Sequence, residues 1–192
     1  MTTHQILRLL FELPWVVFVL YWLVTALKTR PTQRSESFLS RYGVMLIVVA
    51  GFVLMLDRDA RIGVLGRRFL PRSFATTITG IVLEWAGVAL ALWARYHLGQ
   101  NWSGRVTIKQ GHELIRTGPY AHLRHPIYSG LLLALVGASL QTAQWRELLG
   151  IALVLIGFTL KARREEGMLR AQFGASFQEH CEHTGFLLPR FR

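Results

Sequence analysis

Five long apolar stretches constrain the fold of this chain more than any other feature of its sequence. A helix that crosses a bilayer needs about 20 consecutive, mostly apolar residues. The stretches are Leu9–Leu27, Tyr42–Leu56, Thr76–Leu98, Ile127–Trp145 and Glu147–Leu160. They predict an all-α, polytopic integral membrane protein with about five transmembrane helices.

The composition agrees with a membrane protein. The 192 residues are 52% hydrophobic and 17% charged, with a formal net charge of +11. Basic loops beside anionic headgroups explain such a charge, and without basic tails or a nucleic-acid motif we expect no nucleic-acid binding. The single Cys181 excludes an internal disulfide and a thiolate metal cluster, and we predict no metal site. The N-terminal run is longer than a signal-peptide core and lacks a clear cleavage site, which favours a retained helix.

The basic residues predict the orientation of the helices. With five crossings, most of the 22 Lys and Arg residues fall on the side that holds the C-terminus. The positive-inside rule places that side, and the C-terminus, in the cytosol. The arginine-rich segment 57–75 falls on the other side and is either extracytoplasmic or interfacial. Compact length and the lack of targeting signals favour a prokaryotic inner membrane.

Two segments on the predicted cytosolic side are not expected to cross the membrane. Residues 99–126 form a connector, in which alternating Val106 and Ile108 indicate a short extended piece. Residues 161–183 are expected to be helical and either to pack on the membrane domain or to lie in the interface. Their apolar stripe recurs at every fourth residue: Leu169, Phe173, Phe177 and Cys181.

The chain is predicted to divide into two parts. Residues 1–75 carry the first two helices, and residues 76–192 form a catalytic membrane domain with helices three to five, the connector and the C-terminal helix. Only a short polar cluster around Arg146 separates helices four and five, which predicts an antiparallel helical hairpin. Glycines in these two helices are expected to allow close helix packing: Gly130, Gly137, Gly150 and Gly157.

The densest cluster of reactive side chains opens the fourth helix. Gly118-Pro119-Tyr120 is followed by Arg124-His125-Pro126-Ile127-Tyr128. Proline suits the first turn of a helix, and the N-terminus presents unpaired N–H groups and a positive dipole end to a carboxylate or phosphate. The same residues also fit a simple anchor at headgroup depth, where Arg, His and Tyr are common.

A second charged cluster, Lys161-x-Arg163-Arg164-Glu165-Glu166, follows the fifth apolar stretch. Such a run is most often a solvated surface, but it also offers carboxylates to a cationic ligand and arginines to an anionic one. Because helices four and five are antiparallel neighbours, Tyr128 and this cluster are predicted to meet at one cytosolic mouth. We predict a small-molecule pocket there.

Glu84 lies in the middle of the third helix, where an unpaired charge is costly and usually functional. Two interpretations remain open. The carboxylate either faces a substrate tunnel, or it is protonated or paired for a structural reason.

The residues in these clusters resemble a known family. "GHELIRTGPYAHLRHPIYSG" and, about a hairpin later, "KARREEGMLRAQFGASFQEH" are similar to the isoprenylcysteine carboxyl methyltransferases, whose relatives include the phospholipid N-methyltransferases. The likeness runs from roughly Leu98 to Pro189 and includes "LGQNWS" and the closing "LLPR". It implies a membrane enzyme whose cofactor is S-adenosylmethionine. The first two helices contribute nothing to it.

The resemblance also implies where the cofactor binds. Its contacts fall on His112, Glu113, Leu114, Ile115, Tyr120, His125, Pro126, Ile127, Tyr128 and Glu165. Glu166 joins them on chemical grounds, because the glutamate pair suits the ammonium group while the helix-four N-terminus suits the carboxylate. The family's arginine for a substrate carboxylate lies four positions before Glu165, where this chain has Lys161. Lysine binds a carboxylate, but not as a planar fork.

Roles follow for these residues. The predicted catalytic residues are His125, Tyr128, Arg163 and Glu165, and the predicted substrate contacts are Lys161, Arg163, Arg164 and Glu84. Methyl transfer mainly needs alignment of the nucleophile and exclusion of water. A carboxylate nucleophile needs no base, whereas an amine does, and then His125 or a glutamate is the candidate.

The leading hypothesis is O-methylation of a carboxylate on a lipid-like or prenylated substrate that arrives from the membrane lipids, between the helices. The first alternative is N-methylation of a phospholipid or lipid amine. A second is an NADPH-dependent reductase similar to the membrane sterol reductases, and a third is a binding protein without catalysis. The sequence leaves the methyl acceptor and the oligomeric state open.

Overall fold

A computed structural model describes residues 2–26, 32–35, 38–57, 62–102, 107–109 and 113–190. These ranges hold six α-helices and one antiparallel two-stranded ribbon. The helices are α1 (Thr3–Ala26), α2 (Phe38–Leu56), α3 (Phe74–Leu98), α4 (Pro126–Ser139), α5 (Trp145–Phe173) and α6 (Ala175–His183). The strands are β1 (Thr32–Ser35) and β2 (Thr107–Lys109).

The ribbon qualifies the all-α prediction, although the fold is helical. In the ribbon, Arg34 pairs with Ile108 and Ser35 with Thr107. The expected extended piece around Ile108 is therefore confirmed, while Val106 lies outside the described residues. β-branched residues at 107 and 108 fit a pleated strand. Through the ribbon, the long connector after α3 is tied to the segment between α1 and α2.

Local signals in the sequence mark the helix ends. Ser73 caps α3: its hydroxyl accepts a hydrogen bond from the Thr76 amide at 3.0 Å. The helix ends at Gly99, with a φ of 52° that glycine adopts without strain. α4 begins at Pro126, as the sequence predicts.

The helices pack as two close antiparallel pairs, α3 with α4 and α2 with α5. A Cβ added to Gly87 would lie 2.3 Å from the Ala134 amide nitrogen, and one added to Gly130 would lie 2.6 Å from the Gly87 carbonyl oxygen. In the other pair, a Cβ on Gly150 would lie 2.7 Å from the Gly51 oxygen. Only a residue without a side chain permits such approaches, so the prediction that these glycines serve helix packing is confirmed.

α5 differs from the prediction. The fifth helix was expected to end near Leu160, with a separate helix over 161–183, but α5 runs unbroken from Trp145 to Phe173. The apolar stretch ends where the prediction placed the helix end, but the backbone meets no breaker there, because Lys, Arg, Ala and Glu are good helix formers. The break comes at Gly174, with a φ of 52°, and α6 follows.

The prediction of about five membrane-crossing helices is not confirmed. By length and composition, two helices in the described ranges can cross a membrane: Gln5–Ala26 and Phe74–Asn101. Two further apolar helices, Tyr42–Leu56 and Pro126–Ser139, are shorter. α4 has 14 residues and spans about 21 Å at 1.5 Å per residue, less than the roughly 30 Å of a hydrocarbon core.

Two arginines that the orientation argument treats as loop charges are instead buried at helix ends. Arg95 and Arg146 are each 2% exposed. Arg146 donates hydrogen bonds to the last carbonyls of α2, at Leu54 (2.9 Å) and Met55, and to that of Asp57 (3.1 Å). Arg95 donates to the carbonyl of Thr25, in the last turn of α1, at 2.8 Å. Each guanidinium thus satisfies carbonyls that a helix end leaves without partners.

Candidate active site

The antiparallel arrangement of α4 and α5 brings the two predicted clusters together. The Tyr128 hydroxyl, in the first turn of α4, donates a hydrogen bond of 2.7 Å to Oε1 of Glu165 on α5. Nδ1 of His125 lies 3.6 Å from the other oxygen of the same carboxylate. Glu165 keeps a partly exposed side chain (23%). A carboxylate oriented by two neighbours and open on one side suits a cationic ligand.

Glu166 has a different set of partners. Its Oε1 accepts hydrogen bonds from Nε of Arg124 at 2.6 Å and from Nε2 of His125 at 3.2 Å. Burial by itself would raise the pKa of Glu166, but the hydrogen bonds from His125 and Arg124, with their positive charge, outweigh it and lower that pKa. Glu166 is therefore an ionised partner of Arg124 rather than an open ligand site. The two adjacent glutamates differ because consecutive helical residues point about 100° apart.

Aromatic rings hold the centre of the cluster. The His125 ring stacks on Tyr128 with centroids 5.7 Å apart, and Tyr128 stacks on Phe158 of α5 at 4.9 Å. The Lys161 ammonium lies 5.6 Å from the centroid of Tyr128, within the range of a cation–π contact. The residue at the position of the expected substrate arginine therefore sits beside the catalytic candidates.

The chain after α6 folds back over the start of α4. Arg124 donates to the carbonyls of Cys181 (3.2 Å) and Thr184 (2.5 Å), and the Ser129 hydroxyl donates to the carbonyl of Leu187 (2.7 Å). Phe186 then packs edge-on against the His125 ring, with centroids 5.1 Å apart. Arg124 thus links Glu166 of α5 with the C-terminal segment.

A cleft opens next to this cluster, between the connector, the start of α4 and α6. The space in the cleft and at its open mouth, solvent included, amounts to about 400 Å³. Ten residues line it: Leu98, Glu113, Leu114, Ile115, Tyr120, Arg124, His125, Leu169, Phe177 and His180. Its walls are mostly apolar, with a few polar groups, which is the usual character of a small-molecule site.

Tyr120 forms part of the buried wall of the cleft. Its side chain packs with Ala94 and Ile127, where α3 meets the start of α4. Burial, with the negative charge of Glu165, raises the pKa of the Tyr120 phenol, so it remains protonated at physiological pH.

α6 closes one side of the cleft. Phe177 is 1% exposed, so the apolar stripe of this segment packs inward at that residue. Arg116 of the connector holds α6 from outside, through Glu179 at 3.1 Å and the carbonyl of Ser176.

Most predicted cofactor residues meet at the cleft or at the glutamate pair beside it. Glu113, Leu114, Ile115, Tyr120 and His125 line the cleft. Pro126 and Ile127 are buried in the first turn of α4. His112 lies outside the described residues.

Two predicted substrate residues, Arg163 and Glu84, make no contact with the cluster in the part of the chain that the structure describes. Arg163 is exposed on α5, and Arg164 is half-buried. Glu84 is fully buried, opposite Gly137 of α4. Gly137 lies nine residues after Tyr128, so Glu84 sits about 14 Å along the α4 axis from the cluster at 1.5 Å per residue.

Five residues that line the cleft are absent from the set of predicted site residues: Leu98, Arg124, Leu169, Phe177 and His180. The position of Arg124, directly before His125, was a local indication that it belongs to the site. Leu98 ends α3, and Leu169 lies on α5 beyond the glutamate pair. Phe177 and His180 lie on α6, and only the fold of α6 onto the connector shows that they reach the cleft. His180 stands three residues after Phe177 and thus on the same helix face.

Residues 80–171, from α3 to the last turn of α5, match the model of the isoprenylcysteine carboxyl methyltransferase family. The match covers somewhat less than half of the chain. The matched segment holds the start of α4 and both glutamates, whereas α1, α2 and α6 lie outside it.

Two rice proteins are similar to part of this chain. Each is named "Probable protein-S-isoprenylcysteine O-methyltransferase", one from Oryza sativa subsp. indica and one from Oryza sativa subsp. japonica. Each is 31% identical over 123 residues, which cover 62% of this chain and 64% of the relative. The chain thus spans somewhat less than two thirds of the length of the curated relatives that it matches.

Proposed function

We propose that this protein is an integral membrane methyltransferase that uses S-adenosylmethionine to O-methylate a carboxylate on a lipid-like or prenylated substrate. The observation that carries the proposal is the junction of His125, Tyr128 and Glu165 beside an apolar cleft, inside the segment that matches the isoprenylcysteine carboxyl methyltransferase family model. The names of the rice relatives agree with this activity.

The charges and walls of the site fit the cofactor. S-adenosylmethionine, when bound, supplies a methyl group on an electrophilic sulfonium; it also carries an ammonium, a carboxylate and an adenosine. Glu165, with one open side and fixed by Tyr128, would hold the ammonium. The N-terminus of α4 at Pro126 would hold the carboxylate. The apolar cleft would hold the nucleoside.

The protein's contribution to catalysis is alignment and exclusion of water. Tyr128 is fixed by Glu165 on one side and by the stack of His125 and Phe158 on the other. Orientation of this kind can supply about 7–11 kcal/mol of a barrier. The tail around Phe186 covers His125 and shields the cluster from water.

A carboxylate acceptor suits the charges better than an amine. The Lys161 ammonium lies 5.6 Å from the ring centroid of Tyr128. This cation attracts an anionic acceptor and repels an ammonium. Both nitrogens of His125 face carboxylates, so the ring is poorly placed to remove a proton from an amine.

The exposed surface supports a membrane location. α1 leaves large apolar side chains 46–62% exposed, among them Leu9, Leu13, Leu20 and Leu23. So many exposed apolar side chains on one helix are rare on soluble monomers. We place the C-terminus and the cleft on the cytosolic side, where the basic residues concentrate.

Cofactor binding by detergent-purified protein tests the proposal. We expect saturable binding of S-adenosylhomocysteine and of S-adenosylmethionine, no binding of NADPH, and at least tenfold weaker binding in Glu165→Gln, because hydrogen-bonded charges contribute roughly 1.5–3 kcal/mol. Glu182→Gln, an exposed glutamate on α6, serves as the matched control and should bind normally. Binding of NADPH alone would reassign the protein to the reductases.

The acceptor is identified from the product. Membranes and a prenylated cysteine are incubated with the protein and methyl-labelled S-adenosylmethionine, and the labelled lipid is then treated with alkali. A methyl ester releases labelled methanol, whereas an N-methyl group does not. Alkali-stable label would show that the acceptor is an amine.

A further inference from the structure

Glu84 carries a buried carboxyl group that the contacts of the fold leave unsatisfied. Its side chain is fully buried within α3, a helix long enough to cross a membrane. Among the described residues, it is the only buried carboxyl whose two oxygens both lack a hydrogen-bond partner. Buried polar groups nearly always have partners, and an ionisable residue at membrane depth is costly and usually functional. The carboxyl group therefore indicates a ligand.

A neighbouring polar group at the same level is satisfied, which sets Glu84 apart. Pro14 of α1 has no N–H to offer the carbonyl of Leu10, and the Trp85 indole donates to that carbonyl instead, at 3.0 Å. The Trp15 indole approaches the Glu84 carboxyl without meeting the geometry of a hydrogen bond. An indole has a single N–H, so even a small shift of Trp15 would leave one oxygen without a donor.

Apolar side chains link the active site with the surroundings of Glu84. A buried cluster joins α4 and α5: Leu135, Val154 and Phe158. Tyr128 of the active site and Trp15 both pack against this cluster and are half-buried. Glu84 lies about 14 Å from Tyr128 along the α4 axis, at 1.5 Å per residue. An acceptor that is methylated beside Tyr128 can therefore lay an apolar chain along the cluster and bring its far part to Glu84.

The chemistry of the carboxyl group selects a hydroxyl as its partner. A hydroxyl both donates and accepts, so it pairs with a carboxyl group that is either ionised or protonated. It is also neutral, and it enters the apolar part of a membrane at a smaller cost than an ammonium does. An extended chain advances about 1.2 Å per bond, so a distance of 14 Å corresponds to about twelve bonds between the methylated carboxylate and the hydroxyl oxygen.

We propose that the methyl acceptor is an apolar carboxylate with a hydroxyl near the far end of its chain, and that Glu84 binds this hydroxyl. The inference rests on the proposed function, because it names the class of acceptor. Glu84 is then a residue that determines specificity, since it does not reach the reacting atoms.

The test compares two acids of equal length. ω-Hydroxydodecanoic acid carries the hydroxyl, and tridecanoic acid has a methyl group in its place. Detergent-purified protein and S-adenosylmethionine are incubated with each acid, and the methyl ester is measured. We expect kcat/KM to be about tenfold higher, or more, for the hydroxy acid, because the other acid leaves a buried polar group unpaired. Both values come from one preparation, so the fraction of folded protein cancels in their ratio.

Variants of Glu84 connect this preference with the carboxyl group. Glu84→Leu should abolish or reverse it, because the hydroxyl would then be buried without a partner. Glu84→Gln keeps a donor and an acceptor and should retain part of the preference. Glu12→Leu is the matched control, because Glu12 is an exposed glutamate of α1 that pairs with Arg8, and its loss should leave the ratio unchanged.

The outcomes separate the two proposals. If wild-type protein forms a methyl ester on neither acid and on no prenylated cysteine, the proposed function fails and this inference fails with it. If it methylates the prenylated cysteine but not the hydroxy acid, or methylates the two acids equally, the hydroxyl site is wrong and the proposed function stands. A preference that persists unchanged in Glu84→Leu would overturn the hydroxyl site in the same way.

Discussion

Replacing Glu166 with glutamine removes a negative charge that two residues share. Oε1 of Glu166 lies 2.6 Å from Nε of Arg124 and 3.2 Å from Nε2 of His125, and the side chains of Arg124 and Glu166 are 15% and 13% exposed. Breaking a fully buried pair costs about 3–5 kcal/mol. Here glutamine keeps an acceptor oxygen and Arg124 keeps two carbonyls, so we expect a loss of about 1–3 kcal/mol.

A double-mutant cycle measures this interaction directly. Wild type, Glu166→Gln, Arg124→Gln and the double variant are compared by their apparent melting temperatures in one detergent. For a chain of this length, 1 kcal/mol corresponds to about 2–4 °C. A coupling of about 2 kcal/mol therefore appears as roughly 4–8 °C of non-additivity.

An exposed pair of the same chemistry provides the control. Arg116 and Glu179 lie 3.1 Å apart, but their side chains are 39% and 64% exposed. Exposed ion pairs contribute about 0–1 kcal/mol, so the same cycle on this pair should be nearly additive. Equal coupling in the two cycles, or additive shifts for Arg124 and Glu166, would refute the reasoning that burial sets the strength of the pair.

Three further predictions follow from the same contacts. Because the pKa of Glu166 is lowered in the folded protein, its stabilising effect is present above the unfolded pKa of about 4.3 and is lost as pH falls through the lower folded pKa. The difference in melting temperature between wild type and Glu166→Gln should therefore stay constant from pH 8 to pH 5 and shrink below about pH 4. A steady difference at all pH values would contradict this prediction. Gly87→Ala should destabilise the protein by about 1–3 kcal/mol, because the added Cβ meets the α4 backbone. Gly167→Ala has open space around it and should stabilise the protein by about 0.5–1 kcal/mol. Equal melting temperatures for the two variants would show that the helix pair can separate freely. Arg146→Gln leaves carbonyls at the end of α2 without their donor and should cost about 2–5 kcal/mol of stability. The control, Arg72→Gln, changes an exposed arginine and should cost roughly 0.5 kcal/mol or less. Similar shifts in melting temperature for the two variants would rule out the capping role of Arg146.

The hairpin of α4 and α5 could be predicted because each signal was local. Pro126 marks a helix start, and a short polar break before Trp145 forces antiparallel neighbours. Once two helices are antiparallel, the start of one meets the far part of the other, which brings Tyr128 to Glu165. The packing role of Gly130 followed from composition alone.

The parts that could not be predicted depend on contacts between distant segments. The end of the apolar stretch at Leu160 marks a change of surroundings, not a change of backbone, so α5 continues to Phe173. The guanidinium of Arg146 counts as a loop charge in a sequence but caps a helix from another part of the chain. The different partners of Glu165 and Glu166 require the position of Arg124, which no periodicity gives.

Because α5 is one unbroken helix, the number of residues between its contact with α2 and its contact with the start of α4 is fixed. Gly157 packs tightly against Val48 of α2, and Glu165 and Glu166, two turns later, meet the side chains at the start of α4. One inserted or deleted residue between them would turn the glutamates by about 100° and shift them by about 1.5 Å, removing both from their partners at once. Homologous chains that keep this chemistry should therefore vary in residue type between Gly157 and Glu165 but never in number.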